Sequence, residues 1–290
     1  MQSPVKVLVT GSNGQLGSEI RELAAAYPDL VFDFTDRATL QLTSEAEVKE
    51  YFEQLRPQYV INCAAYTAVD KAEEGAAQAE AERINALAVG YLAKACTAVG
   101  AKLIHVSTDY VFDGTASQPY KPSDLPNPVS VYGVTKLKGE LLAAQYTDVL
   151  IIRTAWVYSS FGKNFVKTMI RLMAEKPAIN VVADQYGSPT YAADLAAAII
   201  SIIRSGKWVR GIYHYTNEGK TSWYEFARAI HALIHSSCII SPISTAGYPT
   251  PARRPAYSVL DKTGIKETYG IIIPAWEKSL KKCMDKLQLQ

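Results

Sequence analysis

Short β-branched runs alternate with longer amphipathic stretches along most of this chain. Val5-Lys6-Val7-Leu8-Val9-Thr10 is too short for a helix and long enough for one central strand. A helical pattern follows from Ser18 to Tyr27, then a second apolar run from Leu30 to Phe34. Ser44 to Leu55 reads as a helix, with Ser44 as N-cap and Glu47 completing a capping box. Tyr59 to Cys63 is the next strand, Ile84 to Val99 a long helix carrying the polar Asn85, and Leu103 to Val106 a buried strand ending at Ser107-Thr108. Val131 to Tyr146 predicts a helix and Val149 to Arg153 a strand. This regular alternation predicts an α/β fold, a doubly wound parallel sheet over residues 1–160 that later segments can rejoin. Past Asn164 the pattern loosens. Helices are expected at Asn164–Glu175, Ala192–Arg204, Thr221–His235 and Ala275–Leu287, with strands around Ile179–Val182 and Ile212–Tyr215. Residues 184–190 read as a turn-rich loop, and Pro249, Pro251 and Pro255 break the chain around Arg253-Arg254. These later elements predict a smaller C-terminal α/β lobe over 161–290, mainly substrate-binding, with the cleft between the lobes as the site.

Candidate chemistry sharpens that picture. Gly11, Gly14 and Gly17 stand directly between the first strand and the first helix. The first glycine permits a tight turn, the second lets backbone N–H groups approach a pyrophosphate, and the third lets helix and strand pack closely. That context predicts a Rossmann-type dinucleotide site, with Asn13, Gln15 and Leu16 in the same loop. Asp36 follows the second strand, where a carboxylate holds ribose hydroxyls, and Arg37 beside it suits a 2′-phosphate. Asp36 favours NADH and Arg37 favours NADPH, so both cofactors stay open. Gln41 and Leu42, the small Ala64 and Ala65 at the third strand's end, and Tyr66 complete the expected cofactor set. Tyr132 and Lys136 are four apart, on one helix face. A free phenol titrates near ~10, and a nearby ammonium lowers it toward the range useful for acid–base work. Thr108 ends a strand, on the edge where open α/β sheets bind ligands.

Composition removes alternatives. The chain has 290 residues, 48% of them apolar, enough for a sizeable core, and a net charge of only +2 gives no reason to expect a nucleic-acid partner. Four scattered cysteines without a C-x-x-C pair read as reduced thiols. No signal-peptide pattern opens the sequence, and no apolar run reaches the ~18 residues of a membrane span, so a cytoplasmic protein is expected. His105 reads as a hydrogen-bonded core histidine, while His214, His231 and His235 lack metal-ligand company. Trp156, just past a strand, is read equally as a pocket floor or as core packing.

Gly11-x-x-Gly14-x-x-Gly17, Thr108 and Tyr132-x-x-x-Lys136 together resemble the extended short-chain dehydrogenase/reductases. The stretches Ala64–Glu73, Ser107–Gly114, Arg153–Tyr158, Asp184–Thr190 and Arg254–Leu260 are similar to the dTDP-4-dehydrorhamnose reductase branch. The resemblance spans nearly the whole chain. It implies NADPH- or NADH-dependent reduction of the 4-keto group of dTDP-4-dehydro-6-deoxy-L-mannose, the last step of dTDP-L-rhamnose synthesis. It further implies Tyr132 as proton donor, Lys136 as the cation that lowers the Tyr132 pKa and binds the nicotinamide ribose, both residues thereby meeting the cofactor, and Thr108 as a hydrogen-bond partner of the carbonyl oxygen. Val69, Asp109 and Trp156 would contact the sugar, and Arg254 the nucleotide end. Some members are magnesium-linked dimers using three glutamates. Here Glu19 fits one position, Asp194 stands near another, and no Glu follows Glu277, so a homodimer stays open and no metal is expected. Two other readings remain. One is a nucleotide-sugar dehydratase or epimerase, although Tyr110 stands where dehydratases of this kind carry a glutamate. The other is a non-catalytic, cofactor-binding regulatory subunit.

Overall fold

The computed structural model describes residues 4–288. The first half folds as β1 (Val5–Thr10), α1 (Gln15–Ala24), β2 (Leu30–Thr35), α2 (Glu45–Leu55), β3 (Tyr59–Asn62), α3 (Gly75–Glu82), α4 (Ala88–Val99), β4 (Lys102–Thr108), α5 (Val131–Tyr146) and β5 (Leu150–Thr154). Next come β6 (Val157–Tyr158), α6 (Phe165–Glu175), β7 (Ala178–Val182), β8 (Tyr186–Gly187), β9 (Thr190–Tyr191) and α7 (Ala192–Arg204). The chain ends with β10 (Gly211–His214), β11 (Thr221–Ser222), α8 (Trp223–Ile234), β12 (Ile239–Ile243), α9 (Thr263–Tyr269) and α10 (Trp276–Gln288).

Six parallel strands form the central sheet in the order β2-β1-β3-β4-β5-β10. Alternation along the buried strands splits their side chains between two faces. Val7, Val9, Ile61 and Ile104 pack with α1 and α7, whereas Leu8, Val60, Leu103 and Ile151 pack with α2 and α4. The chain leaves β1 for β2 on one side, and β3 lies on the other. That strand-order reversal opens a crevice at the carboxyl ends of β1 and β3, the place such sheets bind ligands. A separate core gathers Met169, Met173, Phe226, Ile230 and Leu280 from α6, α8 and α10 beside the β7–β12 pair.

Four local expectations change. The first helix begins at Gln15, not Ser18, because Gly14 is extended and caps it. The helix expected from Ile84 already runs as α3 from Gly75, and Arg83–Leu87 forms a π-helical turn before α4. Ser44 accepts from the Glu47 backbone, but the complete capping box belongs to Ser222 and Glu225 at α8. The turn-rich loop at 184–190 contains β8 and β9, which pair with β11 and β6. Among the described residues no helix is long and apolar enough to cross a membrane.

Candidate active site

Gly11 has φ +67, and a Cβ there would come within 2.7 Å of the Ala64 backbone; at Gly17 it would meet Ser12. Only glycine lets β1, α1 and the end of β3 approach so closely. The result is a cleft of about 670 Å³ across the switch point. Gly11, Asn13, Gly14, Asp36, Arg37, Gln41, Leu42, Ala64 and Ala65 all line it. Four others expected there have different surroundings. Gln15 turns toward the Val157 carbonyl and Asn164. The Leu16 side chain joins the core, Gly17 sits in the helix–strand contact, and the Tyr66 backbone is tied to Asn85.

The Asp36 carboxylate accepts from the Ala38 and Thr39 N–H groups and from Asn13 at 2.6 Å. Those backbone bonds hold it below the ordinary carboxylate value. Arg37 is largely exposed, and among the described residues only a 3.6 Å surface pair with Glu80 restrains it. Asp36 therefore shapes its own turn, while Arg37 keeps its guanidinium at the cleft margin.

Thr108, Tyr132 and Lys136 converge where β4 and α5 meet. Ser130 caps α5 by accepting from the Gly133 N–H. A Cβ at Gly133 would collide with the Tyr110 carbonyl, and one at Gly139 with that of Asn85, so these glycines let α5 lie close against the strand ends. Burial pushes the Tyr132 phenol up to about 12, and hydrogen bonding to Thr108 partly offsets this. The Lys136 Nζ donates to the Val106 carbonyl at 2.7 Å and lies 3.5 Å from His105 Nε2. Burial brings Lys136 down to about 8, with the Glu140 carboxylate opposing that fall. His105 is buried, and Asn62 Nδ2 faces its Nδ1 at 3.0 Å. The amide oxygen of Asn62 already accepts from Thr10 and the Ala64 N–H. Its nitrogen is therefore the donor, which assigns the proton of His105 to Nε2.

The residues expected at the sugar border the same edge. Asp109 is buried, its Oδ1 accepts from Thr108, and its Oδ2 has no partner among the described residues. Burial raises its carboxyl to about 6. Val69 precedes Asp70, whose carboxylate grips Arg254 with two bonds of 3.0 and 2.7 Å. Trp156 stands at φ +50, its ring stacked on Trp223 at 3.5 Å and pressed on Gly187. A left-handed tryptophan is costly, and the stack helps hold it there.

The sequence reading passed over several residues that build this geometry. Asn85 bonds both the Tyr66 N–H and carbonyl and the Thr135 hydroxyl, so the π turn ties the β3 loop to α5. Its signal was a polar side chain in helix-favouring company. Glu140 and Arg153 form a buried pair beneath Lys136, and Asp70 meets Arg254 from a distant loop. Spacing could not announce either pairing.

A switch-point cleft joined to a Thr–Tyr–Lys cluster at the sheet's carboxyl edge defines the dinucleotide-dependent short-chain dehydrogenase/reductase class. The family described as RmlD substrate binding domain matches residues 5–289. A dTDP-4-dehydrorhamnose reductase of Burkholderia thailandensis is 42% identical, over 99% of this chain and all of its own. Among solved structures, a dTDP-4-dehydrorhamnose reductase of Clostridium acetobutylicum superposes with TM-score 0.94 at 42% identity, covering 98% of this chain and 100% of that one. The Bacillus anthracis dTDP-4-dehydrorhamnose reductase, in complex with NADP, has TM-score 0.93 at 37% identity, with the same coverage. This chain belongs to the dTDP-4-dehydrorhamnose reductase family.

Proposed function

We propose that this chain is a cytoplasmic enzyme reducing the 4-keto group of dTDP-4-dehydro-6-deoxy-L-mannose to give dTDP-L-rhamnose, with NADPH or NADH as cofactor. The observation that carries the reading is the meeting of Thr108, Tyr132 and Lys136 beside the glycine-lined cleft. The cleft suits a dinucleotide, since side chains at Gly11 and Gly17 would strike backbone and the largely exposed Arg37 guanidinium stands at its rim. When bound, the nicotinamide supplies the hydride. The protein's own part is the proton and the alignment. At neutral pH a phenol near 12 is fully protonated, so Tyr132 can donate its proton to the oxygen that gains negative charge. Thr108, beside the phenol, offers a hydroxyl to the same oxygen. Lys136 supplies a cation under the phenol as that proton leaves. Asp109 presents its unpartnered carboxylate oxygen to a sugar hydroxyl, Val69 and Trp156 bound the ring, and Arg254 meets the nucleotide end. In this arrangement the second core is the substrate lobe, mainly residues 161–290, while α7 and β10 complete the first.

The test follows nicotinamide oxidation with enzymatically made dTDP-4-keto-L-rhamnose. Turnover with either cofactor, lost in Tyr132→Phe, is the expected result. Folded, cofactor-binding protein that turns over nothing would overturn the reading.

A homodimer, if this chain forms one, does so without a magnesium link through these carboxylates. Glu19 is engaged by Ser159 and Lys286, and Asp194 by Asn217 and Ser279. A cation already answers Glu19, and the donor set does not fit a divalent metal. We expect the sedimenting mass to be the same with and without EDTA, and an EDTA-dependent fall would contradict this.

A further inference from the structure

Close to Lys136, Ser107, Glu140 and Arg153 form a buried trio that the proposed reaction itself does not use. Glu140 stands one helical turn beyond Lys136 on α5, so the two share a face. Its carboxylate accepts from Ser107 at 2.5 Å, from Arg153 Nε at 3.0 Å and from Arg153 Nη2 at 2.7 Å. Lys136, Glu140 and Arg153 are each no more than 2% exposed. Two cations thus share one carboxylate in a place water does not reach. Glu140 makes no direct ion pair with Lys136 and acts on it across the space that Val106 and Ser107 bridge, the residues that bind the lysine and the glutamate in turn.

Among the described residues, no other group facing Lys136 is a carboxylate. His105 on β4 presents Nε2–H toward Nζ, donor against donor, at 3.5 Å. Cys63 at the end of β3 is a thiol, held protonated by burial. Arg153 on β5 repels a second cation from behind Glu140, and the Val106 carbonyl, which binds an ammonium more strongly than an amine, carries no net charge. Among the described residues, Glu140 is the nearby carboxylate that most favours the charge.

We propose that Glu140, fixed by Ser107 and Arg153, is the positioning residue that keeps Lys136 charged, and so sets the alkaline limit of turnover. The carboxylate is tethered on both oxygens, so it opposes loss of the lysine proton without taking that proton. The consequence for activity rests on the catalytic reading of Tyr132 and Lys136, whereas the electrostatic claim does not.

The test separates the two. Protein labelled with ¹⁵Nζ-lysine is titrated by NMR, with the Lys136 signal assigned by its loss in Lys136→Met. In Glu140→Gln the Lys136 titration moves down by about one pH unit or more, the size a lost neighbouring charge gives. Glu140→Asp restores most of it. Arg153→Met removes a repelling cation and leaves Glu140 held by Ser107, so its titration moves up. Opposite shifts are beyond a merely structural disturbance. Where Glu140→Gln does not fold, the upward shift in Arg153→Met carries the test. Unchanged titration, or shifts of one sign, would overturn the proposal. The alkaline limb of kcat/KM should follow the NMR shift. Correct NMR shifts with a limb that stays put would leave the electrostatic role standing and remove Lys136 from the catalytic reading.

Discussion

In the proposed reaction Tyr132 is the proton donor, and its surroundings differ from what spacing alone suggests. A Tyr and a Lys four apart on a helix imply that the ammonium tunes the phenol. Here burial raises the phenol, and the ammonium is committed to the Val106 carbonyl. Residue types and their interval were legible in the sequence; the direction each side chain takes was not, because β4 decides it. Tyr132→Phe should lower kcat by ~100-fold or more, the scale of a lost general acid, with cofactor affinity unchanged in fluorescence titration. A loss confined to KM would contradict the proton-donor role. Arg37 carries a second residue-scale expectation. Its guanidinium is restrained only by a long surface pair, so Arg37→Ala should raise KM for NADPH roughly tenfold, about one charge-assisted hydrogen bond, and leave KM for NADH alone. Equal effects on both cofactors would show that Arg37 does not meet a 2′-phosphate.

At the scale of elements, α5 matters for how closely it lies as well as for what it carries. Gly139 packs against the Asn85 carbonyl, and Asn85 sits in the π turn that holds the β3 loop. Periodicity predicted α5 at its observed bounds, Val131–Tyr146, because breakers are few after its first turn. It missed α3 and the π turn, because a stretch as alanine-rich as 75–82 shows no amphipathic stripe and a one-residue bulge leaves composition unchanged. Gly139→Ala should cost about 1–3 kcal/mol through overpacking, read by denaturant unfolding. It should also lower kcat, since the helix carrying Tyr132 must move to admit a methyl group. Wild-type stability and rate in this variant would show that the close approach is unimportant.

Over the whole molecule, the loop after β3 and the proline-rich 249–255 segment are joined by Asp70 and Arg254, which sequence separation hides. Hydrogen bonding from Arg254 holds the Asp70 carboxyl below its ordinary value. A depressed carboxylate stabilises most fully above the value of the free group and loses that contribution as pH falls through its folded value. Amide protection factors across residues 248–256, corrected for the intrinsic pH dependence of exchange, should therefore fall on acidification, and Asp70→Asn should lower them in the same way at pH 7. Exchange that ignores both changes would mean that other contacts hold this segment. The parallel sheet and the glycine turn after β1 were readable from alternation and from one loop. The return of α7 and β10 to the first core was left open, since their sequence patterns do not name the sheet they join. The central claim concerns where a hydride goes, and deuterium measures it most directly. With nicotinamide deuterated at C4 and the 4-keto sugar as substrate, the account predicts deuterium at C4 of the product and one oxidised cofactor per sugar reduced. Deuterium that stays on the nicotinamide while the sugar is isomerised or loses water would contradict it.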